Sequence, residues 1–266
     1  MDIHNLQLFK KKVAEGAICL GMVVTLSDPA VSELAAEVGY DFTWIDMEHA
    51  PISIESALGH VMAVRGTETA PFIRVPGNDP FIIKPILDLA PAGIIVPLIN
   101  SAKEAQAAVQ ACRYPPEGIR GCGPRRGRRF GATSLPEYLS ASKREPMIIL
   151  QIEHIKAVEN IDEILAVQGI DSICIGPNDL SGSMGMLGET THPKVEEAVS
   201  LVCEKARNAS MMIGTADTFS SQWIERGVQW IAVGSDCGSI FSDARHTLET
   251  IHTTIHSKKQ STNKEI

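Results

Sequence analysis

Short apolar runs alternate with amphipathic stretches along nearly the whole chain. Runs of strand length fall at residues 17–24, 42–47, 70–75, 93–97, 147–152, 170–175, 211–215 and 230–234. Between them apolar residues recur at intervals of three and four, the period of a helix that buries one face. Residues 147–179 show the unit most plainly. Met147 to Ile152 is a β-favouring run that stops at Glu153. Ile155, Val158, Ile161, Ile164 and Leu165 then mark one face of a helix over 154–167, and Gly169 ends it. A second apolar run follows over 170–175, after which Gly176-Pro177-Asn178-Asp179 turns the chain. Strand, helix and strand in this order make a βαβ unit, so the two strands are expected to be parallel neighbours.

The same unit repeats on either side. Ser27 or Asp28, with Pro29, opens a helix that Gly39 stops, and Ser53 caps the helix after the second run. Pro76-Gly77-Asn78-Asp79 leads into a helix that reaches about residue 89, and residues 101–112 form an Ala-rich amphipathic one. His192-Pro193 starts a long helix to about 208, residues 218–226 form another, and the last runs from about 239 into the 250s. The one long irregular connection spans 113–145, with a short helix near 136–142, and a connection of that length is usually functional or an interface. Eight strands alternating with eight helices predict an α/β fold, a single (β/α)8 TIM barrel over residues 1–257. A polar tail over 258–266 is expected to be disordered. A doubly wound sheet is the competing architecture, but no G-x-G-x-x-G follows the first strand.

Composition narrows the partners. With 266 residues, one barrel accounts for the chain, and a net charge of −8 argues against nucleic acid. No apolar run is long enough to span a membrane, and residues 1–16 read as a short amphipathic helix, without the core of a signal peptide. The six cysteines are scattered without C-x-x-C spacing, which suits reduced thiols in a cytoplasmic protein.

In a barrel of this kind chemistry is built at the C-terminal ends of the strands. The polar residues expected there are His49, Arg74, Gln151, Glu153, Asn178 and Asp179. Glu153 and Asp179 end adjacent strands without a basic neighbour in sequence, an arrangement that suits a hard divalent cation or simply caps two helices. Arg74 could meet an oxyanion or form a surface ion pair, and His49 could move protons or merely enter a helix. His154, one residue beyond Glu153, is expected to point to the opposite side. The run Arg125-Arg126-Gly127-Arg128-Arg129 reads either as a solvated or subunit-contact loop or as positive charge for the distal carboxylate of a substrate.

The segments W-I-D-M-E-H-A-P, F-I-R-V-P, Y-P-P-E-G-I-R-G, Q-I-E and I-G-P-N-D-L-S, in this order, resemble the HpcH/HpaI aldolases over about residues 21–242. The resemblance implies a class II, metal-dependent aldolase that cleaves a 4-hydroxy-2-oxo acid to pyruvate and an aldehyde through a metal-stabilised enolate. It implies Mg²⁺, Mn²⁺ or Co²⁺ on Glu153 and Asp179, with Gln151, Asn178 and Asp179 binding the oxo acid. Arg74 would stabilise the enolate, His49 would act as base, and Asp88 would orient His49, from the same subunit or a neighbouring one. It also implies a homo-oligomer, typically a hexamer. Decarboxylation of oxaloacetate, or an enolate-trapping synthase reaction, would use the same site, and a non-catalytic oxo-acid-binding barrel is a further alternative. Ala90-Pro91, Val23-Val24-Thr25 and the arginine run depart from the family's usual residues.

Overall fold

Each of the eight apolar runs becomes a strand, and the strands close into a parallel barrel in sequence order. They are β1 (Cys19–Val24), β2 (Phe42–Asp46), β3 (Ala70–Arg74), β4 (Gly93–Val96), β5 (Met147–Ile152), β6 (Ser172–Ile175), β7 (Met212–Ala216) and β8 (Trp230–Ser235). The computed structural model describes residues 3–262. Helices connect the strands around the outside, so the (β/α)8 architecture is the one the alternation predicts. Among the described residues no helix is long and apolar enough to cross a membrane.

Two apolar layers result from the alternation of side chains along each strand. Outward-facing residues such as Ile45, Ile73, Ile94, Ile148 and Ile173 pack beneath the helices. Inward-facing Phe42, Trp44, Phe72, Ile149, Cys174 and Trp230 fill the lumen. These large rings fit because glycines face them: a Cβ on Gly93 would stand 2.7 Å from the Phe72 ring, and Gly21 and Gly214 leave no room for one beside Phe42 and Trp230. The N-terminal helix Leu6–Ala14 plugs the bottom mouth with Leu6, Phe9 and Val13. Phe9 meets Phe72 edge-on at 4.9 Å, while Lys12 pairs with Asp41 at 2.7 Å and Lys10 with Asp171 at 2.9 Å. The lower lumen is thereby filled and sealed, which leaves the C-terminal rim for polar chemistry.

Three elements differ from the sequence reading. The helix expected over 154–167 is two, Ile155–Glu159 and Ile161–Leu165, broken at Asn160, whose amide donates to the Asn100 carbonyl at 2.9 Å. The apolar spacing runs through the break because both pieces bury their apolar residues, Ala157 and Val158 in one and Ile161, Ile164 and Leu165 in the other, in the same outer layer. Gly176-Pro177-Asn178-Asp179, read as a turn, opens a further helix, Pro177–Ser183, with Pro177 in its first turn. The last helix starts at Asp236 and runs to Thr262, so it occupies part of the expected tail; residues 263–266 lie outside the described residues. Asp236 ties its start to the end of β1, accepting hydrogen bonds from the Thr25 and Leu26 N–H groups at 2.7 and 2.8 Å. Beyond this anchor the helix leaves the barrel, and Ile240, Phe241, Leu248, Ile251 and Ile255 are exposed along it.

The long connection is held from within by its arginines. Arg126 is buried and donates to the carbonyls of Leu89, Ala90 and Val61, so one guanidinium caps the ends of two helices. Arg120, stacked 4.5 Å from the Tyr114 ring centre, donates to Asp88 at 2.8 Å. Arg125 alone of these three is exposed.

Candidate active site

The last inward positions of β2 and β3 carry Asp46 and Arg74, which are partners in the strand register. Apolar residues fill the positions below, so the two charges meet at the rim with little water. The Arg74 guanidinium forks onto the Asp46 carboxylate, Nε to Oδ1 at 3.0 Å and Nη2 to Oδ2 at 2.6 Å. Both residues are buried. Burial by itself would raise the Asp46 carboxyl, but the Arg74 hydrogen bonds and charge outweigh it and hold the group below the usual range. Asp46 Oδ1 also accepts from the Glu48 and His49 N–H groups at 3.0 and 3.3 Å. One carboxylate therefore fixes Arg74 and shapes the turn that carries the next two functional side chains.

That turn puts Glu48 Oε2 3.0 Å from Arg74 Nη1 and 3.8 Å from His49 Nε2. The His49 ring is exposed at the mouth, reachable by a ligand. Burial raises Glu48 above the ordinary carboxyl range; Arg74 and His49 oppose that, and the charges of Asp46 and Asp179 add to it.

Across the mouth, Gln151 near the end of β5 and Glu153 just beyond it are both buried. Glu153 Oε1 accepts from the Leu98 N–H at 2.8 Å, and Oε2 accepts from the Gln151 amide. Leu98 presents that N–H from a left-handed backbone, φ 55°, uncommon for a residue with a side chain. Gly176 makes room for the pair, since a Cβ there would lie 2.8 Å from Glu153 Oε2. Burial pushes the Glu153 carboxyl up to about 7; the Leu98 N–H opposes this, and the charges of Glu48 and Asp179 reinforce it. Asn178 and Asp179 stand exposed in the first turn of Pro177–Ser183.

Six of the seven residues picked from the sequence thus belong to one rim: His49, Arg74, Gln151, Glu153, Asn178 and Asp179. Asp88 does not. It ends the helix Pro80–Asp88, just before β4 begins at Gly93, so it lies at the N-terminal rim of its own barrel, paired with Arg120. His49 follows the opposite end of β2. His154 caps the next helix through Lys156 N–H, and His60 is buried between Ser32 and the Leu26 carbonyl. Asp46 and Glu48 were missed, although both lie in the quoted segment W-I-D-M-E-H-A-P. The available signal was a charged residue at the last inward position of a strand, in register with an arginine on the next.

Among the described residues no three His, Cys, Asp or Glu side chains already stand in a metal-binding group. Among the described residues, one buried oxygen at this rim, Gln151 Oε1, has no hydrogen-bond donor, and Glu48 Oε2 has only its ion-pair contacts with Arg74 and His49. An acceptor without a donor suits a ligand that brings one, and a hydrated cation is such a ligand.

The profile of the HpcH/HpaI aldolase/citrate lyase family matches residues 20–243. A 5-keto-4-deoxy-D-glucarate aldolase of Enterobacter sp. (strain 638) is 36% identical over 244 residues, covering 90% of this chain and 94% of its own. The solved HpcH/HpaI aldolase of Desulfitobacterium hafniense DCB-2 superposes with a TM-score of 0.85 at 31% identity, over 91% of this chain and 95% of its own. The citrate synthase SbnG gives 0.83 at 28% identity, over 92% and 97%.

Proposed function

The chain belongs to the HpcH/HpaI aldolase/citrate lyase family and is an aldolase-type lyase, and on that premise we propose that it cleaves a 4-hydroxy-2-oxo acid to pyruvate and an aldehyde with the help of a divalent cation. The observation that carries the reading is the opposition of Arg74, locked by Asp46, to Glu153, a buried carboxylate that accepts from two neutral groups, the Leu98 N–H and the Gln151 amide. Glu153 and Asp179 would hold Mg²⁺, Mn²⁺ or Co²⁺, and the excess of carboxylates over the single arginine supports a cation of that charge. When bound, it supplies Lewis-acid polarisation of the 2-oxo group.

The chain's own residues account for the rest. Gln151 and the N–H groups of Asn178 and Asp179 bind the carboxylate end of the oxo acid. As the C3–C4 bond breaks, its electron pair moves toward the 2-oxo oxygen, where the free N–H groups of Arg74 offset the growing charge. His49 takes the proton of the C4 hydroxyl while that carbon becomes the aldehyde carbonyl. Protonation at C3 then gives pyruvate. Numbered from the keto end, the substrate named for the glucarate relatives is a 4-hydroxy-2-oxo acid with a second carboxylate. We take such dicarboxylic acids as the substrate class.

The test is pyruvate release from a panel of 4-hydroxy-2-oxo acids, with and without chelator. Chelation is expected to abolish turnover and Mg²⁺, Mn²⁺ or Co²⁺ to restore it; full activity in excess chelator would remove the metal from the reading. Oxaloacetate decarboxylation, or capture of the same enolate by an acceptor, is the second reading. Its support is the likeness to a citrate synthase and to macrophomate synthase, the latter with a TM-score of 0.80 at 25% identity.

We also propose a homo-oligomer, with a hexamer as the expected state. The exposed apolar residues of Asp236–Thr262 call for a covering surface, and Asp88 could reach His49 only from a neighbouring copy.

A further inference from the structure

We infer that Trp44 is a positioning residue for Arg74, forming the floor that fixes the guanidinium out of its own plane. The inference rests on the enolate-stabilising role proposed for Arg74. Trp44 is the inward residue of β2 one pleat below Asp46, in register with Phe72, as Asp46 is with Arg74. The indole is 1% exposed and caps the aromatic fill of the lumen, with its ring 6.1 Å from that of Trp230. Arg74 Cζ lies over it, 5.2 Å from the ring centre, within the range of a cation–π contact.

The geometry divides the work. Asp46 grips Nε and Nη2, and Glu48 approaches Nη1, so the carboxylates fix the guanidinium's place and rotation within its plane. A carboxylate fork resists tilting out of that plane poorly. Stacking on an aromatic face restrains that remaining freedom, which would otherwise let the free N–H groups swing away from the enolate oxygen. Chemistry also argues that the indole is not there simply to fill space. Among the described residues its Nε1–H is buried without a hydrogen-bond partner, a cost that phenylalanine or leucine would avoid. Trp230, the neighbouring indole, has its N–H satisfied by Ser172 at 3.0 Å. What tryptophan offers over either replacement is the strongest aromatic face for a cation.

The experiment compares Trp44→Phe, Trp44→Leu and Arg74→Lys with the wild type, using Mn²⁺-loaded protein and the substrate that releases most pyruvate. Arg74→Lys controls for the underlying reading and is expected to lower kcat on the order of 10²–10³-fold. Failure of that arm, or no turnover by the wild type, would sink the role of Arg74 itself. With it in place, Trp44→Leu should lower kcat roughly 10- to 10²-fold, the effect of misplacing a catalytic group by a fraction of its reach. Trp44→Phe should fall between, with KM nearly unchanged in both.

Two readouts separate positioning from mere packing. Trp44→Phe, which removes an unpaired N–H, should melt no lower than wild type while its kcat falls. Calorimetry should show that binding of oxalate, a planar mimic of the enolate, weakens in step with kcat while pyruvate binding does not. Wild-type kcat in Trp44→Phe and Trp44→Leu, or equal weakening of oxalate and pyruvate, would overturn the inference. If Trp44→Leu does not fold, Trp44→Phe decides alone.

Discussion

At the scale of single residues, the rim works by pitting charges against burial. Glu153 is the sharpest case. Its carboxyl is raised to about 7 from the usual 4.5 by burial, so the folded, metal-free protein holds a proton there that the unfolded chain has released. Stability from this group is therefore complete below about pH 4.5 and is lost as pH rises towards about 7. Thermal melts of metal-free protein should show that decline, and Glu153→Gln should flatten it. Added Mn²⁺ should act in the opposite sense, stabilising more as pH rises, because proton and cation compete for one carboxylate. Identical pH slopes in wild type and Glu153→Gln would show that this group does not titrate as its surroundings dictate. His49 offers a cleaner division between reactions. Retro-aldol cleavage cannot finish while the C4 hydroxyl keeps its proton, whereas loss of CO₂ from oxaloacetate needs no such transfer. His49→Ala should lower cleavage by about 10²–10⁴-fold and decarboxylation far less. Parallel losses in both rates would reassign His49 to shaping or binding.

Among the elements, the connection between β4 and β5 is tied to two helices by Arg126, whose guanidinium reaches carbonyls at the ends of Ile54–Ala63 and Pro80–Asp88. Arg126→Ala would leave those carbonyls without their donor, at an expected cost of about 3 kcal/mol in urea unfolding. Arg126→Lys should recover little, since a point charge cannot span the acceptors that the planar fork joins. A denaturation midpoint unmoved by either change would mean that water satisfies the helix ends. In the sequence Arg126 was one of a run of like charges, and only the fold separates it from exposed Arg125. The same limit explains the other differences. Strands were legible because an inward and an outward apolar layer make each one a continuous run. Pro177–Ser183 was not, because a seven-residue helix that opens on Gly176-Pro177 begins with the residues of a turn. Asp46 was hidden inside an apolar run and revealed only by its register with Arg74, which depends on a second strand. Asp88 lies at the N-terminal rim of its own barrel, away from the end that carries His49, so no periodicity could have selected it.

For the whole molecule, the last helix carries the exposed apolar residues on which the proposed assembly rests. Phe241 and Ile251 are 66% and 48% exposed on it. Phe241→Asp with Ile251→Asp should therefore leave the barrel folded, by circular dichroism, while light scattering falls from an oligomer to a smaller species. If Asp88 acts on a neighbour's His49, cleavage should fall with the mass. A fully active monomer would remove Asp88 from the reaction.

The seam of the barrel has a consequence in time. Cys19, Leu20 and Gly21 pair with Trp230, Ile231 and Ala232, and Asp236 fastens the turn at Thr25 and Leu26. The first strand thus waits, during synthesis, for a partner that leaves the ribosome more than two hundred residues later. Until then the growing sheet presents two raw edges, β1 on one side and the newest strand on the other, each able to pair with a stranger. The Asp46–Arg74 pair, carried by adjacent strands, needs no such wait. The nascent chain can hold the charged heart of its site long before it has a ring around it, and a message cut short before Trp230 would yield an open, adhesive sheet.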